Sequence, residues 1–383
     1  MNILIVVPRY PYKDNMEFVF VKKLVDEWSK TGHNCVVMTT FSRTAYIRRR
    51  ISYKPKHYTD DLRGGIKVQV YNPRFNSYGI SYRGISLDYW NASRAIEKQI
   101  QKTGIKFDLI YCHFFGSALI AFRYAKNNGI PFFVATGESE IGALKKPYLG
   151  FEWDAFRQYT KGIVAVSSKN KEEAASNGYI DFSKCNVFPN GTDTTLFKPL
   201  DKIECRKKLN LPFDPFIISC VGYICERKGQ NRLLEAVRRI GDKGIKVMFV
   251  GSEAKLETYT LEGDEIIFKG KIDNADLPTY LNASDVFCLP TRAEGCCNAI
   301  VEALACGLPI ISSNLPFNWD VLDDTNSIMV GSDDVEEISF AIKALRRNSE
   351  KCQDLAIGAL RKAEHLSITQ RAESIMSFIE RQM

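Results

Sequence analysis

Residues 216–250 read FIISCVGYICERKGQNRLLEAVRRIGDKGIKVMFV. The apolar run Phe216–Val221 predicts a buried strand, Gln230–Ile240 has the periodicity of an amphipathic helix, and Lys246–Val250 predicts a second strand. The segment Gly222–Gly229 forms the turn from the first strand into the helix. A strand, a helix and a strand in this order predict a βαβ unit with parallel strands and a crossover helix.

The same alternation of apolar strands and helical periodicity runs along almost the whole chain. Further strands are predicted at Ile3–Val7, Asn34–Thr39, Leu109–Cys112, Phe132–Ala135, Gly162–Val166, Asn186–Phe188, Ile266–Lys269, Val286–Leu289 and Pro309–Ser312. The prolines near 199 and 212–215 interrupt the pattern, so we place the inter-domain linker near 190–212. We therefore predict an α/β protein with two doubly wound, Rossmann-like domains. Residues 41–90 do not follow this alternation of strands and helices and are interpreted as a long loop or hairpin excursion from the first domain.

Length and composition limit the class of protein. A chain of 383 residues is too long for one domain and fits two or three. Its composition, with 45% hydrophobic and 25% charged residues, is that of an ordinary globular protein and excludes a disordered or low-complexity chain. The longest nearly uncharged apolar stretch, Leu109–Phe122, is shorter than the roughly 20 residues needed to span a bilayer. Eleven cysteines, an odd number without a C-x-x-C pair, predict reduced thiols in a cytoplasmic protein.

Charge is distributed unevenly between the two halves. The first 200 residues contain 29 basic and 17 acidic side chains, and the remainder contain 23 and 28. A basic N-terminal half is compatible with nucleic acid, an anionic membrane or a phosphorylated substrate. We expect no nucleic-acid partner, because a phosphorylated or lipid-linked acceptor is a simpler use for this charge.

The turns that follow the strands are where a doubly wound protein binds its ligands. No G-x-G-x-x-G follows the first strand and no G-x-x-x-x-G-K-[ST] occurs, which counts against a dinucleotide site and excludes a P-loop. In the turn 222–229, Gly222 allows close approach of a ligand to the backbone. Arg227 and Lys228 place two cations beside the start of a helix, a suitable arrangement for a diphosphate. A solvated turn explains the same residues equally well.

A second turn carries two carboxylates at a fixed spacing. Residues 289–309 read LPTRAEGCCNAIVEALACGLP, with Glu294 before the predicted helix and Glu302 inside it. A carboxylate can accept hydrogen bonds from both hydroxyls of a ribose, and first-turn amides suit phosphate or sugar oxygens. Two surface glutamates in solvent or in ion pairs are the alternative.

These segments resemble the retaining glycosyltransferases of family four, which have the GT-B fold. The specific part is E-G-x-x-N-x-x-x-E-A-x-A-x-G-x-P, and the resemblance extends over nearly the whole chain. It includes further elements at Gly32-His33, Phe107–His113, Pro189–Asp193, Gly222–Gly229, Val250-Gly251 and Phe268–Gly270. It implies an N-terminal acceptor domain (1–195), a C-terminal nucleotide-sugar domain (196–365) and a final helix (366–383) that crosses back to the first domain.

The resemblance also implies roles for individual residues. Lys228 would bind the donor diphosphate, Glu302 would hold the ribose hydroxyls and Glu294 would contact the transferred sugar. The expected donor-binding set is completed by Gly222, Arg227, Gly295, Cys296, Cys297 and Asn298. The catalytic set is Glu294, Lys228 and His113, and the acceptor side is expected at Tyr10, Asn15, His113 and Glu138. His113 is open to a second interpretation, that of a packed histidine at a strand end.

Three positions depart from the family pattern. Tyr223 stands where the family usually has an arginine, and the loop Lys13–Glu17 lacks the usual paired glycines. The segment 135–138 lacks the histidine that relatives often have, and Glu138 and Glu140 are the polar groups there.

The resulting prediction is a glycosyltransferase that moves a sugar from a UDP- or GDP-linked donor to a glycan or lipid-linked acceptor in cell-envelope polysaccharide synthesis. The alternatives are a catalytically weak sugar-nucleotide-binding regulator and an epimerase of the same fold. We expect no cofactor and no metal, since no D-x-D motif is flanked by strand residues. Arg48–Arg50, with Lys54 and Lys56 among Tyr46, Tyr53 and Tyr58, predicts peripheral attachment to an anionic membrane.

Overall fold

The computed structural model describes residues 1–13, 17–49, 53–62, 65–82, 85–139, 141, 151–253 and 261–383. The chain divides into two compact units. The first contains Met1–Phe188 together with Arg371–Met383, and the second contains Pro189–Gln370.

The first unit is built around one large sheet. Its strands are β1 (Asn2–Val7), β2 (Asn34–Thr39), β3 (His57–Asp61), β4 (Lys67–Tyr71), β7 (Leu109–His113), β8 (Phe132–Thr136), β9 (Gly162–Ala165) and β10 (Cys185–Val187). They lie in the order β10-β9-β8-β7-β1-β2-β4-β3, and every pair is parallel except β3 with β4. A separate antiparallel pair is formed by β5 (Ser81–Tyr82) and β6 (Ile85–Ser86).

Helices cover both faces of this sheet. They are α1 (Val19–Lys30), α2 (Arg43–Arg49), α3 (Leu87–Thr103), α4 (Phe115–Asn128), α5 (Trp153–Tyr159) and α6 (Ser168–Ser176). Alternate residues of β1 enter two different cores, Leu4 and Val6 on one face and Ile3 and Ile5 on the other. A strand buried on both faces loses the polar alternation of a half-exposed strand, which is why the sequence shows β1 as one apolar run.

The second unit is a fully parallel six-stranded sheet over its described residues. Its strands are β11 (Phe216–Val221), β12 (Ile245–Val250), β13 (Ile266–Gly270), β14 (Val286–Leu289), β15 (Ile310–Ser313) and β16 (Ser327–Val330), in the order β13-β12-β11-β14-β15-β16. Its helices are α7 (Lys202–Lys208), α8 (Gln230–Ile240), α9 (Leu277–Asn282), α10 (Asn298–Ala305), α11 (Val335–Arg347) and α12 (Ser349–Glu364). Because β11 lies beside β14, the turns after these two strands meet at the carboxyl edge of the sheet.

The last helix, α13 (Ile368–Gln382), begins in the second unit, and its residues from Arg371 belong to the first. Ile375, Phe378 and Ile379 are buried in the core of the first unit. A Cβ on Gly162 would lie 2.7 Å from the Phe378 ring, so glycine at the start of β9 makes room for this helix.

The prediction of a loop or hairpin excursion at 41–90 is confirmed for the hairpin, since β3 and β4 are antiparallel neighbours, and is wrong for the excursion. β4 pairs in parallel with β2 and extends the main sheet, with β3 antiparallel at its edge. In β4, Val68 and Val70 are buried whereas Lys67 and Gln69 are not, which is the alternation of a strand with only one buried face. Because every second residue of β4 is polar, the strand could not be distinguished in the sequence from the charged residues around it.

Candidate active site

The candidate site lies at the carboxyl edge of the second sheet, where the turn after β11, the loop after β14 and the start of α10 meet. The turn after β11 contains a short 3-10 helix, Glu226–Lys228, and then α8. The loop after β14 carries Glu294 and leads into α10. The positions predicted for donor binding all lie in these two strand-to-helix connections or on α10.

An ion-pair cluster forms the centre of the site. Lys228 Nζ lies 2.7 Å from Glu294 Oε1, and the same oxygen accepts a hydrogen bond from Arg227. Lys228 and Glu294 are almost completely buried as side chains, whereas Arg227 is 42% exposed. Thr291 Oγ1 donates to Glu294 Oε1 across 3.2 Å, so three groups orient this carboxylate. Thr291 had no place in the sequence-based prediction, because a lone threonine beside a glutamate has no distinctive pattern.

In this cluster, neighbouring opposite charges affect the pKa values more strongly than burial does. Burial alone raises the pKa of Glu294, but Lys228 and Arg227 hold the pKa below its ordinary value. Burial alone lowers the pKa of Lys228, and negative charge on Cys297 or Glu294 raises that pKa above its ordinary value. Burial raises the pKa of the Cys297 thiol, which is therefore neutral at neutral pH. Glu294 is then the charged partner of Lys228.

Two glycines allow the backbone to pass close to this lysine. Gly222 has φ 142°, and a Cβ there would lie 3.5 Å from Lys228 Nζ. A Cβ on Gly251, the residue after β12, would lie only 1.9 Å from the Gly222 carbonyl oxygen. The ends of β11 and β12 therefore require glycine, and the backbone beside Lys228 stays uncovered by side chains.

A buried arginine holds the two connections together. Arg232 donates to the carbonyl oxygens of Glu226 (3.0 Å), Pro290 (2.8 Å) and Ser332 (2.7 Å). The Arg292 amide adds a backbone hydrogen bond to the Arg227 carbonyl at 2.9 Å. These bonds fix the spacing of the two turns independently of the Lys228–Glu294 contact.

The start of α10 presents backbone amides beside the cluster. Cys297 is the N-cap residue, and its Sγ lies 4.0 Å from Lys228 Nζ. Asn190 donates from Nδ2 to the Cys296 carbonyl at 3.0 Å, which ties the segment after β10 to this turn. A helix N-terminus of this kind favours an anion.

Glu302 lies further along α10 and is 9% exposed. Burial and the charge of Glu302 raise the pKa of Cys306, one turn later, to about 12. Gly295 is buried, and Asn298, the first residue of the helix, is half-buried. Tyr223 is 49% exposed at the edge of the turn after β11.

The residues predicted for the acceptor side lie in the first unit and have different environments. Tyr10 is fully buried, and its carbonyl oxygen accepts from Lys54. Asn15 and Glu140 lie outside the described residues. Glu138 accepts from the Phe115 amide at 2.8 Å and from Thr136 and Gly137, so its carboxylate caps the start of α4.

His113 is enclosed at the end of β7. It is 1% exposed, and the rings of Phe20 and Phe114 lie about it with centroids at 5.3 and 5.0 Å. Burial, with a smaller contribution from Arg371, lowers the pKa of His113 to about 3. This enclosed environment is what the packed-histidine interpretation expects, and the catalytic role of His113 stays a prediction.

Comparisons with known proteins match both units. Residues 18–196 match the model of Glycosyltransferase Family 4, and residues 201–361 match that of Glycosyl transferases group 1. A putative teichuronic acid biosynthesis glycosyltransferase, TuaC of Bacillus subtilis, is 27% identical over 330 residues, covering 82% of this chain and 81% of its own. The UDP-Gal:alpha-D-GlcNAc-diphosphoundecaprenol alpha-1,3-galactosyltransferase of Escherichia coli is 26% identical over 272 residues, covering 65% and 70%.

Among solved structures, HepE of Anabaena in complex with UDP superposes with a TM-score of 0.76 at 15% identity and covers all of both chains. This likeness concerns the fold, which is GT-B.

Proposed function

The chain belongs to glycosyltransferase family 4 and is a transferase enzyme, and from this premise we propose that it uses a nucleotide-diphosphate sugar as donor. The acceptor is a hydroxyl of a glycan or lipid-linked saccharide, and the anomeric configuration is retained. The observation that carries the proposal is the cluster of Lys228, Arg227 and Glu294 beside the start of α10.

The cluster suits stabilisation of a departing diphosphate. Negative charge grows on the diphosphate oxygens as the bond to the sugar breaks, and cations and amide dipoles placed there lower the barrier. Lys228 and Arg227 supply two positive charges, and the first turn of α10 supplies amides. Because the chain places these charges itself, we propose that no metal ion is needed.

Donor binding then requires a rearrangement of charges. Without a donor, Glu294 is the partner of both cations. A bound diphosphate takes over Lys228 and Arg227, and the released carboxylate turns to the transferred sugar. Glu302, buried on α10, is proposed to accept from the ribose hydroxyls, and Gly222, Gly295 and the backbone of 296–298 line the site.

The donor and acceptor classes follow from the relatives. The galactosyltransferase of E. coli has a UDP-linked donor and a lipid-linked acceptor in its name, and the Anabaena structure contains UDP. We therefore propose UDP ahead of GDP as the donor nucleotide, and cell-envelope polysaccharide assembly as the setting.

The test is a panel of radiolabelled UDP- and GDP-sugars incubated with the purified protein and lipid-linked saccharide acceptors. Transfer, or slow donor hydrolysis without acceptor, supports the proposal, and NMR of the product reports whether the configuration is retained. Tight nucleotide binding without transfer or hydrolysis of any donor would favour the regulator instead. Absence of nucleotide binding would overturn the assignment of the site.

We further propose that the first unit attaches to an anionic membrane. None of the helices in the described part of the chain is long and apolar enough to span a bilayer. The exposed apolar side chains of this unit include Ile47 (69%), Tyr78 (57%), Ile80 (55%) and Leu87 (39%). Exposed cations accompany them at Arg43, Arg48 and Arg74. We call these seven residues the apolar-basic surface.

Backbone contacts place the parts of this surface side by side. The Arg43 amide donates to the Phe75 carbonyl at 2.9 Å, which joins α2 to the segment 74–80. The Leu87 amide donates to the Ile80 carbonyl at 2.9 Å, which joins the same segment to α3. Apolar side chains among cations suit the headgroup region of an anionic bilayer.

This surface differs from the one predicted from sequence. Tyr46 is 4% exposed and Lys54 3% exposed, so neither can reach a membrane. Burial, with a smaller effect of Arg9, lowers the pKa of Lys54 to about 8. Tyr58 is half-buried and donates to the Pro11 carbonyl at 2.7 Å. Arg48, Tyr53 and Lys56 remain exposed, whereas Arg50 and the side chain of Arg49 lie outside the described residues.

A further inference from the structure

An exposed tryptophan stands at the same sheet edge as the candidate site. Trp319 is 57% exposed and belongs to the loop after β15. Most tryptophans are largely buried, because the indole is the largest apolar side chain. Trp28, by contrast, is 1% exposed. Exposure of an indole at the ligand-binding edge of a doubly wound sheet therefore requires an explanation.

The loop that carries Trp319 is anchored on both sides of it. Phe317 and Val321 are buried, and Asn318 is fully buried. Asn318 Nδ2 donates to the Ser313 carbonyl at 2.7 Å and to Ser312 Oγ at 3.1 Å. The loop is thus fixed to the end of β15.

The indole itself is also oriented. Its Nε1–H donates to Asn314 Oδ1 at 2.9 Å. Asn314 is the first residue after β15, and its own amide donates to the Val330 carbonyl at 2.8 Å. The polar group of the indole is therefore occupied by the protein, and what the ring offers to solvent is apolar.

The loop is bonded to the one that carries Glu294. Ser313 Oγ donates to the Thr291 carbonyl at 2.6 Å, and Thr291 Oγ1 donates to Glu294 Oε1 at 3.2 Å. Ser312 Oγ donates to the Leu289 carbonyl at 2.7 Å. β14 and β15 are neighbours in register, about 4.8 Å apart as adjacent strands are. The loop that holds Trp319 is thus next to the loop that holds the proposed sugar-contacting carboxylate.

We propose that Trp319 is a stacking platform for a pyranose ring. A pyranose has faces of C–H groups that pack on an aromatic ring, and its hydroxyls remain free to bond at its edge. A ring that is already oriented loses little entropy when a sugar packs on it. The inference rests on the proposed donor site, and it adds to that site a residue that recognises the sugar. The sugar belongs either to the donor or to the acceptor, and the two are separable by experiment.

The experiment compares the wild type with Trp319→Ala and Trp319→Phe. Phe340→Ala serves as the matched control, since Phe340 is 64% exposed on α11 of the same unit. For the donor arm, the affinities for UDP and for UDP-glucose and UDP-galactose are measured by calorimetry. For the acceptor arm, the affinities of the UDP complex for methyl glucopyranoside, galactopyranoside and N-acetylglucosaminide are also measured by calorimetry, because a fluorescence signal would depend on the tryptophan that the variants lack.

We expect Trp319→Ala to leave the affinity for UDP unchanged. The affinity for the sugar should fall about three- to ten-fold in one of the two arms, either for the UDP-sugars or for the methyl glycosides. Trp319→Phe should recover part of the loss, and Phe340→Ala should behave as the wild type. Equal sugar affinities in the wild type and Trp319→Ala, with UDP bound normally, would overturn the inference and leave the proposed function intact. Loss of UDP binding in the wild type would instead contradict the proposed donor site.

Discussion

Lys228 Nζ and Glu294 Oε1 lie 2.7 Å apart, although the two residues come from turns that follow different strands of the second sheet. The contact exists because β11 and β14 are neighbours in the sheet, with β12 and β13 on the other side of β11. It places a buried ion pair where the proposed donor diphosphate must bind. The glutamate therefore competes with the donor for the lysine, and each partner can be altered separately.

Replacing Glu294 with Gln should separate binding from turnover. The neutral amide no longer competes for Lys228 and Arg227, so we expect UDP or GDP to bind about three-fold or more tightly. Transfer should fall at least about ten-fold, because the charged contact to the sugar is lost. Calorimetry and radiolabelled transfer measure the two effects.

Glu226→Gln is the matched control, since Glu226 forms an exposed ion pair with Arg292 beside the same turn. It should leave both quantities close to wild type. Parallel weakening of nucleotide binding and transfer in Glu294→Gln would show that Glu294 only supports the fold of the turn.

Replacing Lys228 with Met keeps most of the side-chain volume and removes the charge. Because diphosphate charge grows in the transition state, we expect turnover to fall about 100-fold and donor affinity by ten-fold or less. Glu294 keeps Arg227 and Thr291 as partners, so the fold should persist. Steady-state kinetics gives the comparison, with exposed Lys243→Met as control. A rise in KM with turnover intact would contradict this role for the lysine.

The two turns at the sheet edge could be predicted from the sequence, because their glycines, cations and regularly spaced glutamates lie within short contiguous segments. The Lys228–Glu294 contact was not, since strand order is a property of the whole sheet and no spacing encodes it. Lys54 and Tyr46 were predicted at a surface because they lie among charged residues, but tertiary packing buries both. Trp319 gave no signal, since only the fold shows that an indole at this position stays exposed.

Glu302→Gln should weaken donor binding through the ribose. The amide has the same shape but lacks the charge that strengthens hydrogen bonds from two hydroxyls, each worth about 1.5–3 kcal/mol to a charged group. We expect UDP affinity to fall about ten-fold or more, measured by calorimetry. Glu336→Gln, on the exposed start of α11, should change nothing. Unchanged UDP affinity in Glu302→Gln would exclude the ribose contact.

His113 should make the protein sensitive to acid. Burial lowers its pKa to about 3 in the folded state, against about 6.5 when unfolded, so the unfolded chain binds the extra proton below pH 6.5. This residue should therefore cost about 2 kcal/mol of stability between pH 7 and pH 5. Urea unfolding of His113→Gln should lack this loss.

A non-titrating exchange at an exposed position of the same unit, Gln101→Asn, provides the control and should keep the wild-type acid dependence. The same variants distinguish a packed histidine from a catalytic one. If His113 acts as an acid or base, His113→Gln should lose transfer at pH 7, and its stability should keep the wild-type dependence on pH.

The apolar-basic surface predicts binding to anionic vesicles. The protein should co-sediment with vesicles containing phosphatidylglycerol and not with phosphatidylcholine alone, and high salt should release it, because exposed charges are screened over about 8 Å at physiological ionic strength. The double change Ile47→Asp and Ile80→Asp places charge at two exposed apolar positions. We expect it to weaken binding at least about ten-fold, since each burial of an apolar side chain is worth about 1.5–3 kcal/mol.

Phe340→Asp introduces the same charge at an exposed apolar position of the second unit and should leave vesicle binding unchanged. Arg48→Ser tests the electrostatic part, since each basic residue near an anionic surface contributes about 1 kcal/mol. Neither the double change at Ile47 and Ile80 nor Arg48→Ser should alter the affinity for UDP, because the donor site is proposed on the second unit. Equal partition onto neutral and anionic vesicles, or no binding to either, would show that this surface is solvated and that the enzyme reaches its acceptor without attachment to lipid.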